Sequence, residues 1–406
     1  MSVRKRTWTT AKGETKKAWI VDYKDKASGD RVMRTFQSKK EADDFATTMK
    51  SETRDGIHIA RSKSVTVSQA GKFWIATAEA NNLEVATVVD YKRAVSMHIG
   101  PYIGNVKLSD LSAPMVRAFE DKLRSEGRSA AMVRRIRAAL SMLLSDALER
   151  GSVARNVVRE LKSKRRRGKE RQAEKRQKGK LKVGVDIPAP DEVRAIMAQL
   201  HGRWRPLILM AMFTGLRASE LRGLRWQDVD LVGRQVHVRQ RADRYNRIGP
   251  PKSEAGERTV PLLPMVANAL REWRLACPKG TLDLVFPNGS GNVEMLANIV
   301  MRGLWPTQIA VGVTVPVLDN DGRPKLDNDG KPVVKTKYSG MHALRHFYAS
   351  WCINRKADGG LELPAKVVQE RLGHSSIVMT MDVYGHLFPK GDDAAEMEAA
   401  ERAFLT

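Results

Sequence analysis

His342-Ala-Leu-Arg345-His346, Leu372-Gly-His374-Ser-Ser376 and Tyr384-Gly-His386 follow one another within 45 residues of a 406-residue chain. His342 and Arg345, at i and i+3, fall on one face of a helix, so an imidazole and a guanidinium can converge on one ligand. Upstream lie Thr214-Gly-Leu-Arg217-Ala-Ser-Glu220-Leu221 and Lys252-Ser-Glu-Ala-Gly-Glu-Arg-Thr-Val-Pro261. A glycine ahead of Arg217 at a helix start presents the guanidinium at a backbone turn. Two guanidinium forks match one phosphate and neutralise the charge that builds as it reacts. Phosphoryl transfer also needs a nucleophile, a proton acceptor and a donor for the leaving oxygen. A Tyr384 phenol, with an ordinary pKa of about 10, becomes a competent nucleophile beside two arginine cations. Lys252, in a turn between two expected strands, can reach a leaving 5′-oxygen. Each segment alone is common, and a lone Tyr-Gly-His is mostly packing or a turn. All five in this order, behind two basic blocks, point to chemistry on a phosphodiester.

Working outward, residues 184–406 mix helices and strands. Helices are expected over Asp191–Leu200, Pro206–Thr214 and Pro264–Cys277, and strands over Arg234–Gln240 and Arg258–Leu262. Residues 316–333 repeat Leu318-Asp-Asn-Asp-Gly-Arg-Pro324 as Leu326-Asp-Asn-Asp-Gly-Lys-Pro332. The later ligands of a calcium loop are missing, so this reads as a Gly/Asp-turned surface hairpin. Residues 64–154 read as all-helical, with the clearest helix from Ser129 to Arg150, stopped by Gly151. Met132, Val133, Ile136, Leu140, Leu143, Leu144 and Ala147 form its apolar face, while Arg134, Arg135 and Arg137 fall outside that stripe as a solvated or DNA-facing surface. Residues 1–60 read as a hairpin, Trp19–Tyr23 and Val32–Phe36 around a Ser28-Gly-Asp30 turn. A helix opened by a Ser38-Lys-Lys-Glu41 capping box follows.

The chain carries 71 Lys and Arg against 46 Asp and Glu, a net charge of +25. Residues 155–182 hold 14 basic and 3 acidic side chains, including Lys164-Arg165-Arg166-Arg167, with little apolar content. That stretch reads as a linker that can strap along phosphates. A polyanion is the expected partner. Two cysteines, Cys277 and Cys352, exclude a disulfide framework and a Cys-based zinc module. The longest apolar run, Leu207–Phe213, is too short to span a bilayer. No apolar segment follows the basic start, so neither a membrane nor a signal peptide is expected, and the chain reads as cytoplasmic.

The set Arg217, Lys252, His342, Arg345, His374 and Tyr384 resembles the pattern of the tyrosine recombinases of the phage-integrase type: Arg, Lys, His-x-x-Arg, His or Trp, then Tyr. The flanking Thr-Gly-Leu-Arg, Leu-Arg-His and Leu-Gly-His-Ser-Ser match as well. The resemblance implies a multidomain, mainly α protein with small β-sheets. Its parts would be an arm-type DNA-binding domain of β-sheet plus helix (1–62), a helical core-binding domain (64–160), a basic linker (161–187) and a mixed α+β catalytic domain (188–406). It implies cutting and rejoining of double-stranded DNA at core and arm sites through a 3′-phosphotyrosine, without ATP, cofactor or metal. A homotetramer on paired sites is implied, with DNA-bending and directionality proteins as accessories, in the service of an integrating phage or mobile element in a bacterial cell. Arg217 and Arg345 would clamp the phosphate, Lys252 protonate the leaving oxygen, His342 accept a proton and His374 bond a phosphate oxygen. Glu220 would orient its neighbouring arginine, and His346 and His386 would be structural. Segments 311–337 and 357–363 lengthen the family spacing and read as surface insertions. The tail from Asp392 to Leu405 reads as a helix with Ala395, Ala399, Phe404 and Leu405 on one stripe, packed on its own domain or on a neighbouring subunit. Three other readings are a resolvase or type IB topoisomerase, a catalytically silent DNA-binding regulator, and a metal-dependent nuclease using His342, His346 and His374.

Overall fold

A computed structural model describes residues 2–9, 13, 15–24, 31–54, 64–161, 180–319, 321–389 and 393–405. The Ser28–Asp30 turn, the Lys164–Arg167 run and Asp392 lie outside the described residues. The chain divides into two compact units, Met1–Arg165 and Arg166–Thr406.

The first unit begins with an antiparallel sheet, β1 (Ser2–Thr9), β2 (Thr15–Lys24) and β3 (Arg31–Phe36), in the order β1-β2-β3. Helix α1 (Lys39–Arg54) follows, its Glu41 N–H donating to Ser38 Oγ at 3.2 Å, one of the two bonds of the expected capping box. Val21, Tyr23, Ala42 and Ala46 form the small core between sheet and helix. The register pairs Arg4 with Ile20 and Arg6 with Ala18, but Lys5 with Trp19 and Thr7 with Lys17. Because successive side chains alternate faces, Arg4 and Arg6 share the face away from the Val3–Trp19–Val21 core, whereas Lys5 and Lys17 stand on the core side at the edge. On the open face Asp22 holds Arg31 and Arg4. The β1 strand escapes an alternation reading because an edge strand of charged residues carries little apolar signal.

The rest of this unit is helical: α2 (Val67–Ala80), α3 (Val85–Arg93), α4 (Gly100–Ile103), α5 (Ala113–Ser125), α6 (Ala130–Glu149) and α7 (Val157–Glu160). Ser129 caps α6 by accepting from the Met132 N–H, and Gly151 beyond its end takes φ +66°. Val133, Ile136, Leu140, Leu143, Leu144 and Ala147 are all buried, each large side chain contributing about 1.5–3 kcal/mol by leaving water. Arg135 pairs with Asp90 at 2.6 Å and Arg137 with Glu120 at 3.6 Å, so two of the three surface arginines are tied within their own unit, while Arg134 is exposed.

The second unit runs α8 (Pro190–Gln199), α9 (Trp204–Thr214), α10 (Ala218–Gly223), then β4 (Val229–Asp230), β5 (Gln235–Val238), the β6 (Arg241–Ala242) and β7 (Ile248–Gly249) hairpin, and β8 (Arg258–Pro261). The strand order β4-β5-β8 makes the main antiparallel sheet. Then come α11 (Pro264–Ala276), α12 (Leu296–Asn298), α13 (Trp305–Ala310), β9 (Thr314–Pro316), β10 (Val334–Thr336), α14 (His342–Ile353), α15 (Ala365–Leu372), α16 (Ile377–Tyr384) and α17 (Asp393–Leu405). The apolar run Leu207–Phe213 makes α9 a central helix buried from Pro206 to Thr214, packed by α11 and α14. Ile187 is also fully buried in this core, and Leu181 packs against it. The stretch 181–187, placed in the linker by the family resemblance, is therefore seated on the second unit. The tandem repeat forms two like turns beyond β9 and β10. In each, an aspartate, Asp319 or Asp327, accepts from backbone N–H groups two and four residues on.

Candidate active site

Three turns deliver the site. Between α9 and α10, Gly215 takes φ +61°, and a Cβ there would stand 2.3 Å from Tyr348 Cδ1. Only glycine both reverses the chain and lets it lie against that ring. Arg217 then caps α10, and Glu220 accepts from its backbone N–H at 2.9 Å and from its Nη1 at 2.7 Å. Between α15 and α16, Gly373 takes φ +63° and its carbonyl accepts from Arg217 Nη2 at 2.9 Å. The start of α14 places His342 in the first turn and Arg345 one turn on.

Arg345 is buried, and its Nη1 and Nη2 donate to the carbonyls of Gly215 and Leu372, stitching the first turn to the second. Arg258 on β8 sends Nε to the Arg371 carbonyl at 2.8 Å, Nη1 to that of Gly256 at 2.9 Å and Nη2 to Glu220 Oε2 at 2.9 Å. Glu220, 2 % exposed, thus lies between two guanidiniums. Burial raises its carboxyl pKa, but Arg258 and then Arg217 outweigh burial and hold it below the ordinary value. With Arg345 in the field of the same carboxylate, three guanidiniums against one carboxylate leave a positive centre. Beside it opens a cavity of about 320 Å³ lined by Arg217, Ala218, Ser339, His342 and Arg345 among others.

Tyr384 ends α16 with its ring buried and its hydroxyl 2.7 Å from His346 Nδ1. The ring lies parallel to that of His374, centroids 6.3 Å apart, and His346 meets His342 edge-on at 4.5 Å. His374 Nδ1 is 2.9 Å from Thr380 Oγ1, and the His374 carbonyl accepts from Gln369 Nε2 at 3.0 Å. Burial pushes the Tyr384 phenol up to about 12, against the pull of Arg345. Burial first, then neighbouring cations, lowers His374 to about 4. Burial, then His342 and Arg345, does the same to His346. His342 shifts the same way through burial, Arg345 and Arg217. These imidazoles are neutral at pH 7, able to accept at one nitrogen and donate at the other. Among the described residues no cluster of three or more His, Cys, Asp or Glu is placed to hold a metal ion. The His342, His346 and His374 donor set of the nuclease reading does not converge on one.

The profile described as the phage integrase family matches residues 189–390, which contain all six expected catalytic residues, and that of the phage integrase N-terminal SAM-like domain matches 66–124. The chain belongs to the phage integrase family. Among its relatives, a tyrosine recombinase XerC-like protein of Caldanaerobacter subterraneus subsp. tengcongensis is 25% identical over 368 residues, covering 87% of each chain. The ICEBs1 integrase of Bacillus subtilis is 21% identical over 373 residues, covering 90% of this chain and 91% of the relative. The fold is that of the Tn1549 transposon integrase in complex with a circular intermediate DNA (TM-score 0.59, 17% identity, 83% of this chain and 99% of that one). A lambda integrase tetramer bound to a Holliday junction shares it (TM-score 0.52, 16% identity, 91% and 95%).

In this integrase-family chain Arg217, His342 and Arg345 line the cavity, while Tyr384 and His374 stack on one another and reach His342 through His346. Lys252 stands exposed in the loop between β7 and β8. Glu220 holds Arg217, the expected orienting contact. Two residues at the site lie outside the expected chemical set, Arg258 and His346. Arg258 sits inside the Lys252–Pro261 segment, and His346 follows His342 at i+4, the only local signal that both point the same way. His346 has a structural role by its sequence context, yet it bonds the Tyr384 hydroxyl. His386 fits the structural expectation, its Nε2 lying 2.7 Å from the Leu181 carbonyl.

Proposed function

We propose that the chain is a site-specific DNA recombinase of an integrating phage or mobile element that cuts and rejoins duplex DNA through a 3′-phosphotyrosine at Tyr384. The observation that carries this is a buried Tyr384 phenol in the field of Arg345, whose guanidinium lines, together with that of Arg217, a cavity with room for a phosphodiester group. Oη attacks phosphorus, the P–O5′ bond breaks, and O5′ takes a proton from Lys252. The reverse reaction with a partner 5′-hydroxyl seals the exchanged strand. Arg217 and Arg345 hold the non-bridging oxygens as negative charge grows on them. His374, fixed at Nδ1 by Thr380, offers Nε2 to a phosphate oxygen, and His342 borders the same cavity.

In this reading residues 1–62 bind arm-type DNA, 64–160 grip the core site, 161–187 form the basic linker, its last residues from Leu181 seated on the second unit, and 188–406 cut. The open face of β1–β3, bearing Arg4, Arg6 and Arg31, suits a β-ribbon entering a major groove. That sheet favours an integrase over a simpler resolvase. The tail supports assembly into a homotetramer: Phe404 is 89% exposed and Leu405 75%, so α17 leaves its apolar end free for a neighbouring subunit. No described helix is long and apolar enough to cross a membrane, in keeping with work on DNA in the bacterial cytoplasm, where bending and directionality proteins would join it. Tyr384→Phe is the test: it should bind core-site DNA as the wild type does and trap no covalent adduct on a nicked suicide substrate. Undiminished adduct would reject Tyr384 as the nucleophile.

A further inference from the structure

The geometry points to His346 as the group that takes the phenolic proton of Tyr384 during strand cleavage, a role that rests on the recombinase reading and refines it. Tyr384 Oη and His346 Nδ1 are 2.7 Å apart, within direct proton-transfer reach. His342, the expected acceptor of that proton, is one turn earlier on α14 and lines the cavity, but its ring meets the edge of His346 rather than the phenol. His346 therefore stands between the nucleophile and the phosphate-lining imidazole. The charged and titratable groups facing it are His342 and Arg345 from its own helix, Tyr384 from α16 and Asp186 from the segment before α8.

The step balances without a co-reactant. As the Oη–P bond forms and the P–O5′ bond breaks, the phenolic proton passes to Nδ1, giving an imidazolium, while O5′ is protonated by Lys252. On religation each proton returns, so the acceptor has only to hold its proton for the life of the covalent intermediate. In the resting protein burial and the neighbouring positive groups keep the imidazole near 4, and so free of a proton at pH 7. An incoming phosphate between Arg217 and Arg345 offsets those cations and makes the ring a better base when it is needed. An α14 that merely buttressed α16 would place any packing side chain at this position. With its ring proton on Nε2, His346 presents the Nδ1 lone pair to the phenol 2.7 Å away, as proton transfer demands.

The test is single-turnover cleavage of a nicked core-site substrate by the full chain between pH 6 and 10. His346→Asn keeps an acceptor oxygen near the Nδ1 position but cannot hold a proton, and should cleave about 10²–10⁴-fold more slowly at pH 7. Its rate should then climb about tenfold per pH unit as the phenolate has to form by itself, closing the gap to wild type. His346→Ala should be restored in part by added imidazole. If either variant cleaves at the wild-type rate, the inference fails. A rate lowered by the same factor at every pH, with no imidazole rescue, would mean that His346 only packs the helix. An adduct trapped by Tyr384→Phe would instead overturn the nucleophile assignment, so the two failures are told apart.

Discussion

Replacing Glu220 by glutamine removes one charge and almost no volume from the centre of the site. In the native protein Oε1 accepts from Arg217 Nη1 at 2.7 Å, and Oε2 accepts from Arg258 Nη2 and the Arg217 N–H, both at 2.9 Å. An amide has one acceptor oxygen. With that oxygen kept where two donors converge, its NH2 faces the Arg217 Nη1 donor and pushes the guanidinium away. A charge-assisted bond is worth about 1.5–3 kcal/mol and a neutral one about 0.5–1.5 kcal/mol. Losing one and weakening two costs about 3–5 kcal/mol, in line with breaking a buried ion pair from one side. Urea unfolding at pH 7, followed by tryptophan fluorescence, measures that loss. Cleavage should fall about 10²–10³-fold, as for one misplaced donor at a developing anion. The sign with pH follows from the direction of the shift. The folded Glu220 pKa lies below its ordinary value of 4.5. The wild-type advantage is therefore full above that value and fades as pH falls through the lower, folded one. A Glu220→Gln protein within about 1 kcal/mol of wild type at pH 7 and cleaving normally would refute the view that this carboxylate organises the arginines.

Lys252→Ala should cleave ordinary DNA slowly and recover on a 5′-bridging phosphorothioate, whose leaving sulfur needs no acid; equal impairment on both substrates would give Lys252 another role. Gly215→Ala, forced into left-handed backbone against Tyr348, should lose about 2–5 kcal/mol in thermal or urea unfolding; a loss under 1 kcal/mol would mean that the turn relaxes. A chain beginning at Ser64 should still cleave an isolated core-site oligonucleotide but lose recombination of a long site with its arms, since a second contact raises the effective concentration at the core; full-rate recombination of the long site would move the resolvase reading ahead.

Features carried by local rules are legible in the sequence itself. The cap at Ser129, the apolar stripe of α6 and the stop at Gly151 depend on neighbours within one or two helical turns, and all three occur in the fold. The six candidate catalytic positions are legible because chemistry restricts their residue types and the resemblance orders them. What stays hidden depends on contacts across the chain. The bond from Tyr384 to His346 joins residues 38 apart, and that from Arg258 to Arg371 joins residues 113 apart; no periodicity encodes either. In the N-terminal sheet the basic residues can be read but not their faces, because which of Lys5 and Arg6 lies on the core side is set by pairing with β2. The docking of residues 181–187 is masked for a related reason. They adjoin the basic tract but are themselves neutral, and their attachment rests on contacts far along the chain: a buried isoleucine, its carbonyl facing Tyr338, and the Leu181 carbonyl accepting from His386.

Arg345 bonds the Gly215 and Leu372 carbonyls, and Tyr384 follows both in the chain. During synthesis the N-terminal unit and much of the second unit emerge first, and on the proposed reading the first would already settle on DNA. The turn at Gly373 and the nucleophile leave the ribosome after them. On the proposed reading, a nascent chain, or one terminated ahead of Gly373, would bind its sites while lacking Tyr384, the proposed nucleophile. Truncated products of such a gene would compete for attachment sites as natural antagonists, and breakage of the host chromosome would wait until the nucleophile had been delivered.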